Sequence, residues 1–179
     1  STAAPGRSSR ASSRREEILE AANAVIATAG LKASLHDIAH QAGILPGSLY
    51  FHFESKDDLL IELTRRYHAA LDRVGENALQ RIDERSPAPA HQQIVDLGCA
   101  IARTAFENRA ALQLSFYDGP ASPPELIHLR EATSVLRQAM AMAIRAGRWT
   151  GYLRPDLDIA VLADYLCQTM LRVGLDFIR

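Results

Sequence analysis

Residues Ser34 to Lys56 read S-L-H-D-I-A-H-Q-A-G-I-L-P-G-S-L-Y-F-H-F-E-S-K. Ser34 followed three residues later by Asp37 is a helix-start signal of the capping-box kind, and Leu35, Ile38 and Ala39 share one face of the helix so begun. The spacing predicts a short helix over 35–42. Gly43 permits a sharp, left-handed turn, and Pro46 suits the first position of the next helix, where its missing N–H breaks no intrahelical bond. That helix is expected over 46–52, and Ser55 with Asp58 repeats the start signal at once. Two short helices hinged at a glycine form a helix-turn-helix. Such a pair can offer its second helix to the major groove of duplex DNA, where each base pair displays its own pattern of donors and acceptors.

Outward from this stretch, Ile18, Ala22, Val25, Ile26 and Ala29 recur at helical spacing until Gly30 caps the segment, predicting a first helix over about 14–29. The thirteen residues before it hold no large apolar side chain and read as a flexible basic arm, residues 1–13. The arm has the option of entering a minor groove or staying a tail. On the other side, Leu60, Leu63, Tyr67, Leu71 and Val74 extend one apolar stripe along a fourth helix too long for a small head. The expected division is therefore a DNA-binding domain over 14–54 and a ligand-binding and dimerisation domain over 55–179.

Ser86-Pro87-Ala88-Pro89 breaks the chain, after which Ile94, Leu97, Ile101 and Ala105 mark a fifth helix and 110–117 a short sixth. Leu129, Leu136, Met140, Ala143 and Ile144 mark a long seventh, set off by Asp118-Gly119-Pro120 and Ser122-Pro123-Pro124. In the last segment, 156–179, Ile159, Leu162, Leu166, Met170 and Val173 lie on one side, with Val161, Tyr165 and Phe177 elsewhere. A helix with two apolar faces needs two partners, one of which can be a second subunit. Strand-like alternation never exceeds about four residues. The fold class expected is all-α: a three-helix head followed by a helical body.

At 179 residues and 47% apolar composition the chain can bury a core without disulfides or metal. Cys99 and Cys167 lie far apart without a C-x-x-C partner, which excludes a zinc ribbon and suits a reducing compartment. No apolar run approaches the roughly 18 residues that span a bilayer, and no signal-like stretch is seen, so a cytoplasmic protein without a membrane partner is expected. The net charge is −1. A protein with so little charge cannot hold nucleic acid through a broad basic field, so placed side chains and helix termini must do it.

The order of parts, with I-A-x-x-A-G at Ile38–Gly43, G-x-L-Y-x-H-F at Gly47–Phe53 and S-K at Ser55–Lys56, resembles the TetR family of bacterial one-component transcription regulators. The match covers about Arg14 to Leu63; beyond it only helix number and length agree. The resemblance implies a homodimer whose two heads dock in successive major grooves of a partly palindromic operator, with a small-molecule effector held in each helical body. Two departures stand out. Leu45 occupies the place where a Ser or Thr usually caps the recognition helix, a loss of about 1 kcal/mol that Pro46 partly offsets. Family members also usually continue into one more helix that pairs across the dimer, whereas this sequence ends at Arg179, which leaves the expected dimer surface incomplete.

Leu49 and Phe53, four apart, are expected to pack with Ile38 and Val25. Pro46, Gly47, Ser48 and Phe51 fall outside that stripe and are assigned to the groove, Ser48 by hydrogen bonding and Phe51 against apolar base edges. Tyr50, His52 and Lys56 match family positions that bind phosphate, and Ser34 is expected to donate to another phosphate at the start of its helix. In the body the candidate ligand-binding residues are Tyr67, Leu71, Ile101, Phe106, Phe116, Tyr117, Met140, Trp149 and Met170. Many large apolar side chains and few charges favour an apolar or amphipathic ligand. Resemblance of G-I-L-P-G-S-L-Y and L-R-P-D-L-D to repressors of fatty-acid and steroid breakdown implies an acyl thioester, with Arg103, Arg130 and Arg137 available to its phosphates.

No cofactor, metal or catalytic residue is expected. His36-Asp37-x-x-His40 imitates the H-E-x-x-H zinc site, and a small helical metalloenzyme using His36 and His40 is the competing reading. Asp37 is already explained by capping, and no third ligand stands nearby. A ligand-independent architectural DNA binder is the other alternative.

Overall fold

The computed structural model describes residues 6–81, 90–116, 134–149, 151 and 153–178. Among them the regular elements are α1 (Gly6–Ala29), a 3-10 turn (Gly30–Lys32), α2 (Leu35–Gln41), α3 (Pro46–Leu49), α4 (Lys56–Arg81), α5 (Ala90–Glu107), α6 (Arg109–Ser115), α7 (Ser134–Trp149) and α8 (Ile159–Ile178). The all-α class and the helix order are as expected. Tyr117 and Arg130, the proline-rich breaks over 86–89 and 118–124, and Leu129 lie outside the described residues.

Two apolar cores organise these helices. The first joins Ile18, Ala22 and Ile26 of α1 with Ile38, Leu49 and Phe53, and takes in Leu59, Leu60 and Leu63 from the start of α4. The second joins Tyr67 and Leu71, further along α4, with Leu97, Ile101, Leu136, Met140 and the inner row of α8. One continuous helix thus runs from the head into the body. Each fully buried Leu or Ile in these cores contributes about 1.5–3 kcal/mol.

The short α6 is shared in the same way: Ala110 and Leu114 belong to the head core, Ala111 and Leu112 to the body core. Where α4 crosses α7, Gly75 provides the clearance, since a Cβ there would stand 2.9 Å from the backbone N of Leu136.

Three local expectations are corrected. α1 starts at Gly6 rather than near 14, so residues 6–13, read as flexible, continue the helix. Nothing in 7–29 is Gly or Pro, and Arg7, Arg10 and Ala11 are strong helix formers. α3 stops at Leu49 rather than His52: Tyr50 follows as its cap, and His52 N–H turns back to the Leu49 carbonyl at 2.9 Å, a tighter i→i+3 closure. On α8 the fully inward row is Ala163, Cys167, Leu171 and Leu175, with Ile159, Leu162, Leu166 and Met170 flanking it and Val173 exposed. The small Ala163 and Cys167 let neighbouring helices approach, so the row they define faces the core.

Candidate nucleic-acid interface

The turn between α2 and α3 is set by backbone chemistry. Gly43 has φ +65°, Ile44 N–H reaches the Ala39 carbonyl at 3.0 Å and Gly43 N–H the His40 carbonyl at 3.1 Å, the paired closure that ends helices on a left-handed glycine. Leu45 is extended, as a residue before proline must be, and Pro46 opens α3 with no side-chain cap. The missing hydroxyl at position 45 is therefore real, and the fixed angle of Pro46 stands in for it.

This arrangement sorts the side chains of the recognition segment. Leu49 and Phe53 are fully buried against Ile38, with Val25 alongside. Pro46, Gly47 and Tyr50 face outward, Ser48 and His52 are half-buried, and Phe51 is 90% exposed. Leu45 is 77% exposed beside them. Two large apolar side chains left in water on a small head mark a surface built to be covered. Leu45 was legible only as a missing cap; its outward position follows from the extended backbone that Pro46 imposes.

The residues matched to phosphate positions are tied into the head. Lys56 Nζ donates to the Leu31 carbonyl, which uses one of its three ammonium hydrogens. The His52 carbonyl accepts from Arg15 at 2.6 Å. Arg15 also lies 4.2 Å over the Phe53 ring and reaches to 3.9 Å from Glu62, while Arg66 bridges Glu16 and Glu62. Arg15, near the start of the helix expected over 14–29, therefore braces the end of the recognition segment against α4. No short-range pattern announces this pairing, since its partners lie 37 and 47 residues away.

Ser34 caps α2 in full: its Oγ accepts from Asp37 N–H at 3.1 Å and donates to Asp37 Oδ2 at 2.6 Å. The hydrogen bonds from the Ser34 side chain and backbone hold the Asp37 carboxyl below its ordinary value. The single hydroxyl hydrogen of Ser34 is thereby engaged, and donation to a phosphate requires it to leave Asp37. His36 and His40 are both exposed, and among the described residues no group of three His, Cys, Asp or Glu side chains is placed to hold a metal ion.

The body gathers part of the expected ligand set. Tyr67, Leu71, Ile101 and Met140 are buried together, and Phe116 and Met170 pack against them. Phe106 and Trp149 do not join this group. Phe106, one residue past the inward Ala105, points into an open apolar groove of about 530 Å³ between α5 and α8, with Arg109 stacked at 3.9 Å. Trp149, at the end of α7, is 79% exposed near Arg145, Arg148 and Ile159. Arg137 pairs with Asp164 at 3.3 Å, and Arg103 lines a second groove between α4 and α5. Burial pushes the Cys167 thiol up to about 11 and leaves it inert. No described helix is long and apolar enough to cross a membrane.

Known proteins share this geometry. Residues 18–63, the head core from Ile18 to Leu63, match the family model described as bacterial regulatory proteins, tetR family. The HTH-type transcriptional repressor KstR2 of Mycobacterium tuberculosis is 32% identical over 170 residues, covering 88% of this chain and 78% of that protein. The solved structure of the ketosteroid transcriptional regulator KstR2 of Mycobacterium tuberculosis superposes with a TM-score of 0.68 at 29% identity, over 90% of this chain and 81% of that one. The transcriptional regulator FadR from Bacillus subtilis, solved in complex with stearoyl-CoA, is alike in fold at 19% identity, TM-score 0.65, over 91% and 86% of the two chains. With its glycine-hinged reader, its shared α4 and α6 and a relative of this identity along most of its length, the chain belongs to the TetR family of transcription regulators.

Proposed function

We propose that the protein is a homodimeric repressor whose two heads grip a partly palindromic operator and let go when a small apolar or amphipathic effector, of the acyl-thioester class, occupies the helical body. Leu45, Pro46, Gly47, Ser48 and Phe51 meet base edges, while Tyr50, His52 and Lys56 meet phosphates. One observation carries the regulatory part: α4 and α6 each place side chains in both cores. A rigid helix shared between two cores cannot be repacked at one end without moving the other.

Coupling of this kind is a population shift. An effector that prefers the body conformation with displaced heads lowers operator affinity only by its differential affinity for the two states. Head separation in such dimers must match about one DNA turn, roughly 34 Å, so a modest tilt of α4 suffices to spoil simultaneous docking. The α4–α5 groove, where Val74 and Leu97 line the wall together with Asn77, Gln93 and Asp96, also holds Arg81 and Arg103, two cations for the anionic end of a ligand that is otherwise apolar. Likeness to the ketosteroid transcriptional regulator KstR2 supports a bulky apolar effector in the same role.

The test is selection of bound fragments from genomic DNA by the purified protein, followed by release with a panel of acyl thioesters. The reading expects paired half-sites and release by at least one thioester. Recovery of sites that no thioester releases favours a ligand-independent architectural binder, and recovery of no preferred site sinks the reading altogether.

A further inference from the structure

Along α4 runs a set of buried polar atoms that find no hydrogen-bond partner among the described residues. These are the Tyr67 hydroxyl, both ring nitrogens of His68 and, one turn beyond His68, Oδ1 of Asp72. Tyr67 is 1% and His68 6% exposed. Their rings stand edge to face, 5.7 Å apart. Thr64, one turn before His68, shows how the same helix disposes of a buried hydroxyl: Oγ1 donates to the Leu60 carbonyl at 3.0 Å. The Tyr67 ring, packed in the core with Leu71, Ile101 and Met140, carries its oxygen beyond reach of its own backbone.

Buried polar groups are almost always paired, because taking them out of water without a partner carries an uncompensated desolvation penalty. Phe and Leu would fill positions 67 and 68 without that penalty. Two adjacent exceptions in an apolar core are explained if the partner arrives from outside. Burial raises the Tyr67 phenol and lowers the His68 imidazole, so both are neutral, and each offers one hydrogen. A carbonyl oxygen has two lone pairs for two donors.

The charges nearby decide which oxygen function fits. Asp72 lies one turn beyond His68 on α4, and burial together with Glu76 pushes its carboxyl up. The cations of α4 are otherwise disposed: Lys56 donates to the Leu31 carbonyl, Arg65 pairs with Glu62, Arg66 bridges Glu16 and Glu62, Arg73 is exposed and Arg81 lines the α4–α5 groove. A carboxylate placed beside His68 would share its side of α4 with the Asp72 carboxyl, one turn away.

We propose that Tyr67 and His68 form the polar end of the effector site and donate to one uncharged carbonyl oxygen, as in a ketone, ester or thioester, while Asp72 excludes the free acid. The proposal rests on the repressor reading and specifies which part of its effector is read in the body.

The test uses the purified chain and three ten-carbon probes, 2-decanone, decanoate and decane, with calorimetry and thermal unfolding. 2-Decanone raises the unfolding midpoint and binds more tightly than decanoate or decane. Tyr67→Phe and His68→Leu each weaken 2-decanone by about tenfold, the worth of one hydrogen bond, and His68→Gln, which keeps a donor, restores part of it. Neither Tyr67→Phe nor His68→Leu lowers the midpoint of the unliganded protein, because each removes an unpaired group. Binding of decanoate as tight as the ketone, no effect of 2-decanone, or a midpoint lowered by several degrees in the unliganded variants overturns the assignment. Failure here is separable from failure of the repressor reading, since these measurements contain no DNA, and DNA selection by the wild-type chain is unaffected by their outcome.

Discussion

Asn23 of α1 accepts the backbone N–H of Ala110 at 3.0 Å, and its amide donates to the Glu107 carbonyl at 2.8 Å. A single head side chain therefore holds both sides of the break between α5 and α6, at the point where the body core gives way to the head core. Together with Leu114 packed among head residues, this makes α6 a second rigid link beside α4.

Replacing Asn23 by Ala should cost about 1–2 kcal/mol in urea unfolding, the worth of two partly exposed hydrogen bonds. It should also weaken the coupling between effector and operator while leaving effector affinity nearly unchanged. Calorimetry of effector binding alongside operator release checks this; release as efficient as in the wild type would remove Asn23 from the linkage.

Salt can separate the phosphate contact proposed for Lys56 from its hydrogen bond to the Leu31 carbonyl. Lys56→Ala should weaken binding to all DNA sequences and reduce the slope of log affinity against log salt by about one unit if the ammonium meets a phosphate. A fall in head stability with the slope intact would mean that Lys56 acts only by holding the Leu31 carbonyl. Tyr50→Ala should likewise weaken binding uniformly, whereas Ser48→Ala should change preference among operators in a fragment-selection experiment.

Gly75→Ala is expected to be destabilising by about 1–3 kcal/mol, because the added methyl meets the Leu136 backbone rather than a side chain that can swing away. Urea unfolding measures it. A neutral result would show that α4 and α7 separate at little cost.

His68 makes stability depend on pH in a defined direction. Burial holds its folded-state value below the ordinary 6.5. As pH falls through that ordinary value, the unfolded chain takes up a proton that the folded chain refuses, so stability declines on the acid side until pH passes below the folded value. Asp72, raised above its ordinary 3.8, acts in the opposite sense and only at lower pH. Comparing urea unfolding at about pH 7.5 and about pH 5.5 should show a smaller acid loss in His68→Leu than in the wild type; equal losses would argue against a neutral buried imidazole.

Much of the reader was legible in the sequence because its determinants are local. Ser34 with Asp37, Gly43 with its positive φ and Pro46 opening α3 follow from interactions spanning at most five residues, and the four-residue spacing of Leu49 and Phe53 puts both on the inward face. The inward row of α8 was misplaced for the opposite reason. Apolar residues surround that helix, and only the helices packed against it choose Ala163 and Cys167 over Leu162 and Leu166.

By itself, then, the sequence determined helix order, the helix-turn-helix and the outward-facing reader, since backbone geometry and periodicity act within a few residues. Tertiary structure alone decided that Arg15 serves as a brace rather than a free cation, that Asn23 joins α1 to α6, and that Tyr67 and His68 lie buried without a partner among the described residues. These depend on which distant segments meet, and on whether a polar atom finds a partner there, which spacing along a chain does not encode.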